Sequence, residues 1–582
     1  MSDDWKSKPR PHEIRGELPV AATVPAVFAH ALSRFGDLPY LRDEGRVMTY
    51  AQVDAESRRL SRGLIAMGIA KGTRVGIMMP NGIDWVLAWL AICRIGAVAV
   101  GLSTLFQRRE IQWALRHNDI DTLLVSASFG KADFQQRIEQ AFPMLADRSG
   151  QDRLFLPDAP YLRRIVVVGG PARPWAMQGW DALDRAASAT PQADDRIVAA
   201  MEAAVSPADD MLIICTSGTT SEPKGVICMH GPAMRNGWNF APYTLIDRGE
   251  NFYCGMPFFW VGGFIWGILP VMNNGACLCF PASLSGEDIL SMLVRDHVTG
   301  IFPVAAQLHA IRHAAEEEGI DLGFIRNGYV AHRDADTGEP IPPDRRMGGT
   351  LGMTETFGTH STDQEGKPTP LGKAGHWGRA MPGIERRIVS LDTGEPLGPG
   401  EVGELQLRGS GLMRGYVKKE RHEIMTGDGF FPTGDRCMID EDDLLYFYGR
   451  AKDMIKTSGA NVAPAEVEAA LLDFPEVREA IVLGLPDIKL GEIVAAVLVP
   501  EHGHQINCAG IGARLREEIS SYKIPRIVVI MDYEDVPRTD AAEKPRRNVL
   551  REQLIARLHN RPEVAPLRAK GLESEGRNRH GR

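Results

Sequence analysis

Between Thr49 and Met67 apolar positions recur at three- and four-residue spacing (AQVDAESRRLSRGLIAM), which predicts an amphipathic helix closed by a turn at Lys71-Gly72. The apolar run Arg74–Met79 then reads as a strand, and Pro80-Asn81-Gly82 opens a further helical stretch. Val98–Gly101, Thr122–Ser126 and Met211–Cys215 (MLIIC) are again short apolar runs of strand length. Helix alternating with short apolar strand predicts an α/β fold of layered subdomains with mostly parallel strands. No fixed-period repeat and no long low-complexity tract interrupts it.

The pattern changes near residue 390. Asp392–Gly400 (DTGEPLGPG) is turn-rich, and Glu404–Arg408 is a short β run. Beyond Gly449–Lys456 a smaller α+β set is expected. It comprises a helix at Pro464–Leu472, strands at Ala480–Leu485 and Ile493–Val499, a helix at Ile511–Ser520 and a strand at Ile527–Met531. The expected organisation is an arm over 1–20, a large N-terminal domain over 21–449, a small C-terminal α+β domain over 450–560, and a polar tail over 561–582.

Composition narrows the class. The chain has 582 residues, more than one hydrophobic core serves, with 44% apolar and 24% charged residues. A formal net charge of −9 argues against a nucleic-acid partner, which needs a basic excess. Eight scattered cysteines without a CxxC pair argue against a disulfide framework or zinc site and for a reducing, cytoplasmic location. Cys277 and Cys279 (ACLCF) read as a buried strand. The first twenty residues lack the apolar core of a signal peptide. Trp85–Phe106 contains Arg94, and Phe258–Phe280 is broken by Pro270 and Asn273-Asn274, so both read as buried core and no integral membrane segment is expected.

Chemistry concentrates after the MLIIC strand. It runs into Thr216-Ser217-Gly218-Thr219-Thr220-Ser221-Glu222-Pro223-Lys224-Gly225. Small hydroxylated residues and glycine let backbone N–H groups and hydroxyls converge on an anion, and Lys224 adds a mobile positive charge, as a polyphosphate requires. The spacing is not that of a Walker A loop. Downstream, Glu355 in Leu351-Gly352-Met353-Thr354-Glu355-Thr356 offers the carboxylate oxygen that a hard cation shares with phosphate. His309 and His313 stand four apart on an expected helix, but Ala310 follows His309, so a metalloprotease HExxH is absent.

TSGTTSEPKG resembles the signature loop of the adenylate-forming superfamily, which includes acyl-CoA synthetases, aryl-CoA ligases, luciferases and peptide-synthetase adenylation domains. Further segments resemble that family in order: LGMTET, Gly375-x-x-Gly378 with Pro382-Gly383, Gly403-Glu404, Arg414-Gly415-Tyr416, Thr433-Gly434-Asp435, Gly449–Lys456, Thr457–Val462, Tyr522-Lys523-Ile524-Pro525 and Val536-Pro537-Arg538-Thr539. The likeness spans roughly residues 25–555. It implies ATP, Mg2+ and coenzyme A as cofactors and a small carboxylic acid as substrate. The acid attacks ATP to give an acyl-adenylate, and coenzyme A then takes the acyl group.

The resemblance also implies residue roles. Thr216, Ser217, Gly218, Thr219, Thr220, Lys224 and Thr354 hold phosphate, Glu355 holds Mg2+, and Leu351 lies against adenine. Asp435 and Arg450 hold ribose, and Lys456 and Asn461 face the nucleotide. Ser458 and Gly459 line the pantetheine path, gated by Trp260. Lys544 is the catalytic lysine, and Lys452 is the hinge about which the small, mobile domain turns between half-reactions.

Three positions depart from the family pattern. Leu351 replaces an aromatic residue, Trp260 replaces a frequent histidine, and Asp540–Glu543 adds one residue before Lys544, with Glu543 where glycine is usual. Trp238–Phe240, Phe258–Phe264, Tyr329–His332 and Gly348–Met353 are expected around the acid, favouring an apolar one. Alternatives left open are an acyl-AMP ligase serving a carrier protein, a β-lactone-forming relative, and a nucleotide-binding protein with weakened catalysis. A homodimer is the default assembly.

Overall fold

The structure is a computed structural model. It describes residues 16–106, 108–148, 153–216, 224–325, 350–362, 373, 375–450, 455–457, 460–462, 464–487, 490–519, 523–539 and 544–560. The chain separates into two compact units, Met1–Arg386 with Leu407–Phe431, and Arg387–Gln406 with Pro432–Arg582.

The first unit is built on an eight-stranded sheet. Its order is Gly415–Tyr416, Lys224–Met229, Asp210–Thr216, Val98–Gly101, Arg74–Met78, Thr122–Ser126, Arg164–Val168 and Met177–Gln178. From Asp210–Thr216 to Met177–Gln178 all neighbours are parallel, and the strands at the other end turn antiparallel. A second sheet orders Gly300–Phe302, Asn251–Cys254, Cys277–Cys279, Pro39–Arg42 and Val47–Thr49. Cys277 and Cys279 lie buried in it. The expected α/β layering is therefore present.

Helix Tyr50–Ala66 starts on a reciprocal cap. Gln52 donates its N–H to Thr49 Oγ1 at 3.2 Å, and Thr49 donates its own to Gln52 Oε1 at 2.9 Å. Helix Ile83–Arg94 is buried at every position except Asp84, which explains its lack of a polar face. Its Arg94 is taken inside and satisfied by Ser57, Asp54 and Glu202. The apolar stretch that follows Trp260 is also helical. It runs through Val261–Gly263, a π-helical turn at Phe264–Ile268, and Leu269–Asn274, with Pro270 in the first turn of that last piece. Among the described residues no helix is long and apolar enough to cross a membrane.

The second unit has a sheet ordered Ala460–Val462, Ile455–Thr457, Gly491–Pro500 and Val477–Asp487, with Ile527–Ile530 also paired to Gly491–Pro500. Strand alternation splits its side chains between two cores. Val482, Val494, Ala496 and Leu498 pack with Val467, Leu471 and Leu515 of helices Pro464–Leu472 and Cys508–Glu518. Ile481, Leu483, Ala495 and Val497 pack with Leu550 and Leu554 of helix Arg547–Asn560.

Candidate active site

The loop that opens the phosphate motif springs from a hairpin. Strands Asp210–Thr216 and Lys224–Met229 pair antiparallel with Thr216 opposite Lys224, so these two residues close segment 217–223. Ser217, Gly218, Thr219 and Thr220 lie outside the described residues. Gly225 cannot carry a side chain, because a Cβ there would come within 2.5 Å of Asn118 Oδ1 and 2.9 Å of Val417. The packing reason for the Lys-Gly ending is thus local: the strand passes flush against its neighbours.

Strand Gly415–Tyr416 pairs with the outer side of this hairpin, with Val226 opposite Tyr416 and Ile227 opposite Gly415. Arg414 fixes that register through its N–H on the Ile227 carbonyl and an ion pair to Asp210 at 2.9 Å. Tyr416 then faces two predicted residues at once. Its hydroxyl donates to Glu355 Oε1 at 2.8 Å, and Lys224 Nζ lies 5.0 Å from its ring centre. The main chain adds a further tie, Met413 N–H to the Glu355 carbonyl at 2.7 Å. Lys224, Tyr416 and Glu355 therefore form one cluster at the Thr216/Lys224 mouth. Nothing in the sequence pattern marked Tyr416 for this role, since the contact joins residues 61 apart.

Glu355 sits in a tight turn, Thr354–Thr356, between strands Leu351–Met353 and Gly358–Thr362. Buried Thr356 locks it by donating its hydroxyl to the Gly358 carbonyl at 2.6 Å. Phe357 leaves the turn in the left-handed region at φ 48°, and Gly358 follows at φ 102°. Asn236 on helix His230–Phe240 spans the exit, donating to the carbonyls of Thr356, Phe357 and Thr359 at 3.0 to 3.1 Å. Leu351 lies opposite Ser361 in this sheet. The Glu355 and Asp210 carboxylates add to burial in pushing the Cys228 thiol well above its usual range, so Cys228 is an inert packing residue.

An aromatic group stands beside the turn. Gly358 is backed by Ile265 of the π-helical turn; a Cβ at Gly358 would lie 2.9 Å from it. The next residue, Trp266, stacks on Phe302 with ring centres 4.1 Å apart and meets Phe240 edge-on at 4.7 Å. Trp260 caps the start of the same helical stretch, its ring edge-on to Phe259 at 5.6 Å. Trp266 escaped the pattern reading because a π turn has no sequence period of its own.

In the second unit, Asp435 is buried and lies directly across from Arg450 in the antiparallel pair Phe431–Ile439 and Leu445–Arg450. Its N–H is held by Thr433 Oγ1 at 3.0 Å. Lys456 lies opposite Asn461 across the hairpin Ile455–Thr457 and Ala460–Val462. Lys452, Ser458, Gly459 and residues 540–543 lie outside the described residues. Lys544 is exposed, and its carbonyl accepts the Thr539 N–H at 2.9 Å. His313 pairs with Glu317 at 3.2 Å on its helix, and among the described residues no three His, Cys, Asp or Glu side chains gather as a metal site.

Comparisons with known proteins place these residues in context. The family model for AMP-binding enzymes matches residues 28–417, and that for the AMP-binding enzyme C-terminal domain matches residues 466–542. Mouse mitochondrial medium-chain acyl-CoA ligase ACSF2 is 28% identical over 525 residues, 87% of this chain and 83% of its own. The indoleacetate–CoA ligase of Aromatoleum aromaticum is 28% identical over 536 residues, 89% of this chain and 95% of its own. The crystal structure of the anthranilate CoA ligase AuaEII with anthranoyl-AMP shares the fold at a TM-score of 0.75 and 22% identity, covering 93% of this chain and 99% of that one. The two matched models, the first over residues 28–417, show that the chain belongs to the AMP-binding enzyme family, as an adenylate-forming ligase.

Proposed function

We propose that this ligase joins an apolar carboxylic acid to coenzyme A, with ATP cleaved to AMP and pyrophosphate. The observation that carries the proposal is the cluster of Lys224, Tyr416 and Glu355 at the Thr216/Lys224 hairpin mouth. In the first step a carboxylate oxygen of the acid bonds to the α-phosphorus of ATP, and the bond to the β-phosphate breaks to release pyrophosphate. Charge gathers on the phosphate oxygens, and Lys224 with the Thr216–Gly225 loop meets it. Lys544 adds a second cation in this step. In the second step the thiol sulfur bonds to the acyl carbon, the carbon–oxygen bond to AMP breaks, and the thiol proton is lost.

The donor set at Glu355 suits Mg2+, which takes one or two carboxylates and completes its shell with phosphate oxygens and water. Tyr416 leaves Glu355 one carboxylate oxygen uncommitted by that hydrogen bond. Bound there, the ion would neutralise phosphate charge. Asp435 and Arg450 are assigned to ribose and Leu351 to adenine. Lys456 and Asn461 are assigned to the nucleotide, Ser458 and Gly459 to the pantetheine path, Trp260 to its gate and Lys452 to the hinge.

The aromatic side chains near the Thr354–Thr356 turn support an apolar acid. Phe240, Trp266 and Phe302 form an aromatic wall behind the reaction turn, and relatives are named for medium-chain acids and indoleacetate. A panel of fatty, aryl, alicyclic and amino acids in a pyrophosphate-release assay, with and without coenzyme A, tests this. Apolar acids should release pyrophosphate and give a thioester when coenzyme A is present. A preference for amino acids, or adenylate that coenzyme A never consumes, would refute it. Replacing Trp266 by alanine should move the preference to acids several carbons longer, read as a shift in kcat/KM along a chain-length series.

A further inference from the structure

Among the described residues the strand Val477–Asp487 pairs with Gly491–Pro500 alone, so its outer edge exposes backbone groups that a sheet must cover or satisfy. Three charged side chains do this. Glu468, on helix Pro464–Leu472, accepts the Val482 N–H at 2.7 Å. Arg547, the first residue of helix Arg547–Asn560, donates to the Val482 carbonyl and pairs with Glu468 at 2.6 Å. Glu468, Arg547 and the backbone N–H and carbonyl of Val482 close a ring around that one residue. One turn on, Arg551 donates to the Gly484 carbonyl at 2.7 Å and pairs with Glu492 at 3.0 Å. Residues 547 and 551 are one helical turn apart, and 482 and 484 share one direction of the strand edge, so helix and strand are pinned at two successive points.

This ring sits three residues from Lys544. Thr539 donates to the Lys544 carbonyl at 2.9 Å, Arg538 pairs with Pro545 as a β-bridge, and Arg546 donates to the Pro537 carbonyl at 2.8 Å. The exposed lysine thus stands on a short two-stranded platform that runs on into the helix that Arg547 begins and is also tied to the edge strand by the Arg538–Glu479 ion pair. Leu550 and Leu554 bury the far side of that helix.

We propose that Arg547 and Glu468 are positioning residues for Lys544: their ring around the Val482 backbone helps fix the platform from which the lysine acts. The proposal rests on the reading of Lys544 as the adenylation lysine. A planar guanidinium is needed because its N–H donors, fixed in one plane, must serve a carbonyl and a carboxylate together. Loss of the ring leaves the lysine present but spread over many orientations, which lowers turnover more than binding.

The test is a double-mutant cycle on carboxylate-dependent ATP–pyrophosphate exchange with full-length protein, using Lys544→Ala, Arg547→Ala and the pair. Arg547→Ala should cut kcat on the order of 10- to 100-fold with KM for ATP and acid nearly unchanged. In the Lys544→Ala background the same substitution should cost nothing further. Arg547→Lys and Glu468→Gln should give intermediate losses, and these milder variants carry the test if Arg547→Ala does not fold. An Arg547→Ala loss equal in both backgrounds, or no loss in the wild type, overturns the positioning role. A Lys544→Ala enzyme with full exchange instead overturns the reading of Lys544 itself.

Discussion

At the scale of single residues, the Thr354–Thr356 turn is held by a tyrosine. The Tyr416 hydroxyl donates to Glu355 at 2.8 Å, and its ring faces the Lys224 ammonium. A hydrogen bond to a charged group contributes about 1.5–3 kcal/mol. Tyr416→Phe keeps the ring against Lys224 and removes only the donor. It should lower kcat/KM about tenfold, equal to about 1.4 kcal/mol, with the loss concentrated in the Mg2+ dependence. An unchanged magnesium titration would show that the hydroxyl does not orient the carboxylate.

His360, next to Ser361 and Arg386 and fully buried, marks a second residue-scale effect. Burial first, and then the Arg386 charge, pull its pKa down to about 3, and burial pulls that of His230 to about 4. Both fold as neutral rings, whereas the unfolded chain takes up protons below about pH 6.5. Their folded pKa values are depressed, so the stability they contribute is complete above about pH 6.5 and falls as pH drops toward 4 and 3. The slope is about 1.4 kcal/mol per pH unit for each histidine. Thermal unfolding from pH 7 to 5 should show His360→Gln less acid-sensitive than the wild type; equal slopes would contradict the buried neutral ring.

At the scale of elements, the chain reads well where a local period decides and poorly where tertiary contact does. The strands Val98–Gly101 and Thr122–Ser126 and the helix Pro464–Leu472 fall where their apolar runs put them, because length and turn residues bound them on both sides. The strand expected at Ala480–Leu485 extends to Val477–Asp487, since pairing with Gly491–Pro500 carries it past its apolar run. Helix His230–Phe240 shows the limit. Its Asn236 looks like an ordinary helix residue, yet it satisfies three carbonyls some 120 residues away, as the separations of 120, 121 and 123 show. Asn236→Ala would orphan those carbonyls in a buried site and should destabilise the protein by about 1–3 kcal/mol, lowering the melting temperature together with ATP-dependent turnover. A variant as stable as the wild type would mean that the turn holds itself.

At the scale of the whole molecule, the residues proposed for the chemistry fall in both compact units. Thr216, Lys224, Thr354 and Glu355 belong to the first, and Asp435, Arg450, Lys456, Asn461 and Lys544 to the second. The ordered series of motifs made the reaction class legible, because each motif demands a residue type suited to phosphate, metal or ribose. Sheet order, the role of Tyr416 and the edge ring at Glu468 and Arg547 were not legible, because they depend on which strand ends lie together. The proposed preference for an apolar acid was less legible still, because it rests on packed rings such as Trp266 on Phe302.

The central claim is tested most directly by quenching the enzyme with ATP, Mg2+ and a medium-chain or aryl acid, with and without coenzyme A, and weighing the products by mass spectrometry. AMP and acyl-CoA are expected in equal amounts with coenzyme A, and enzyme-bound acyl-adenylate without it. ADP with inorganic phosphate, or AMP formed at the same rate when the acid is left out, would contradict the claim.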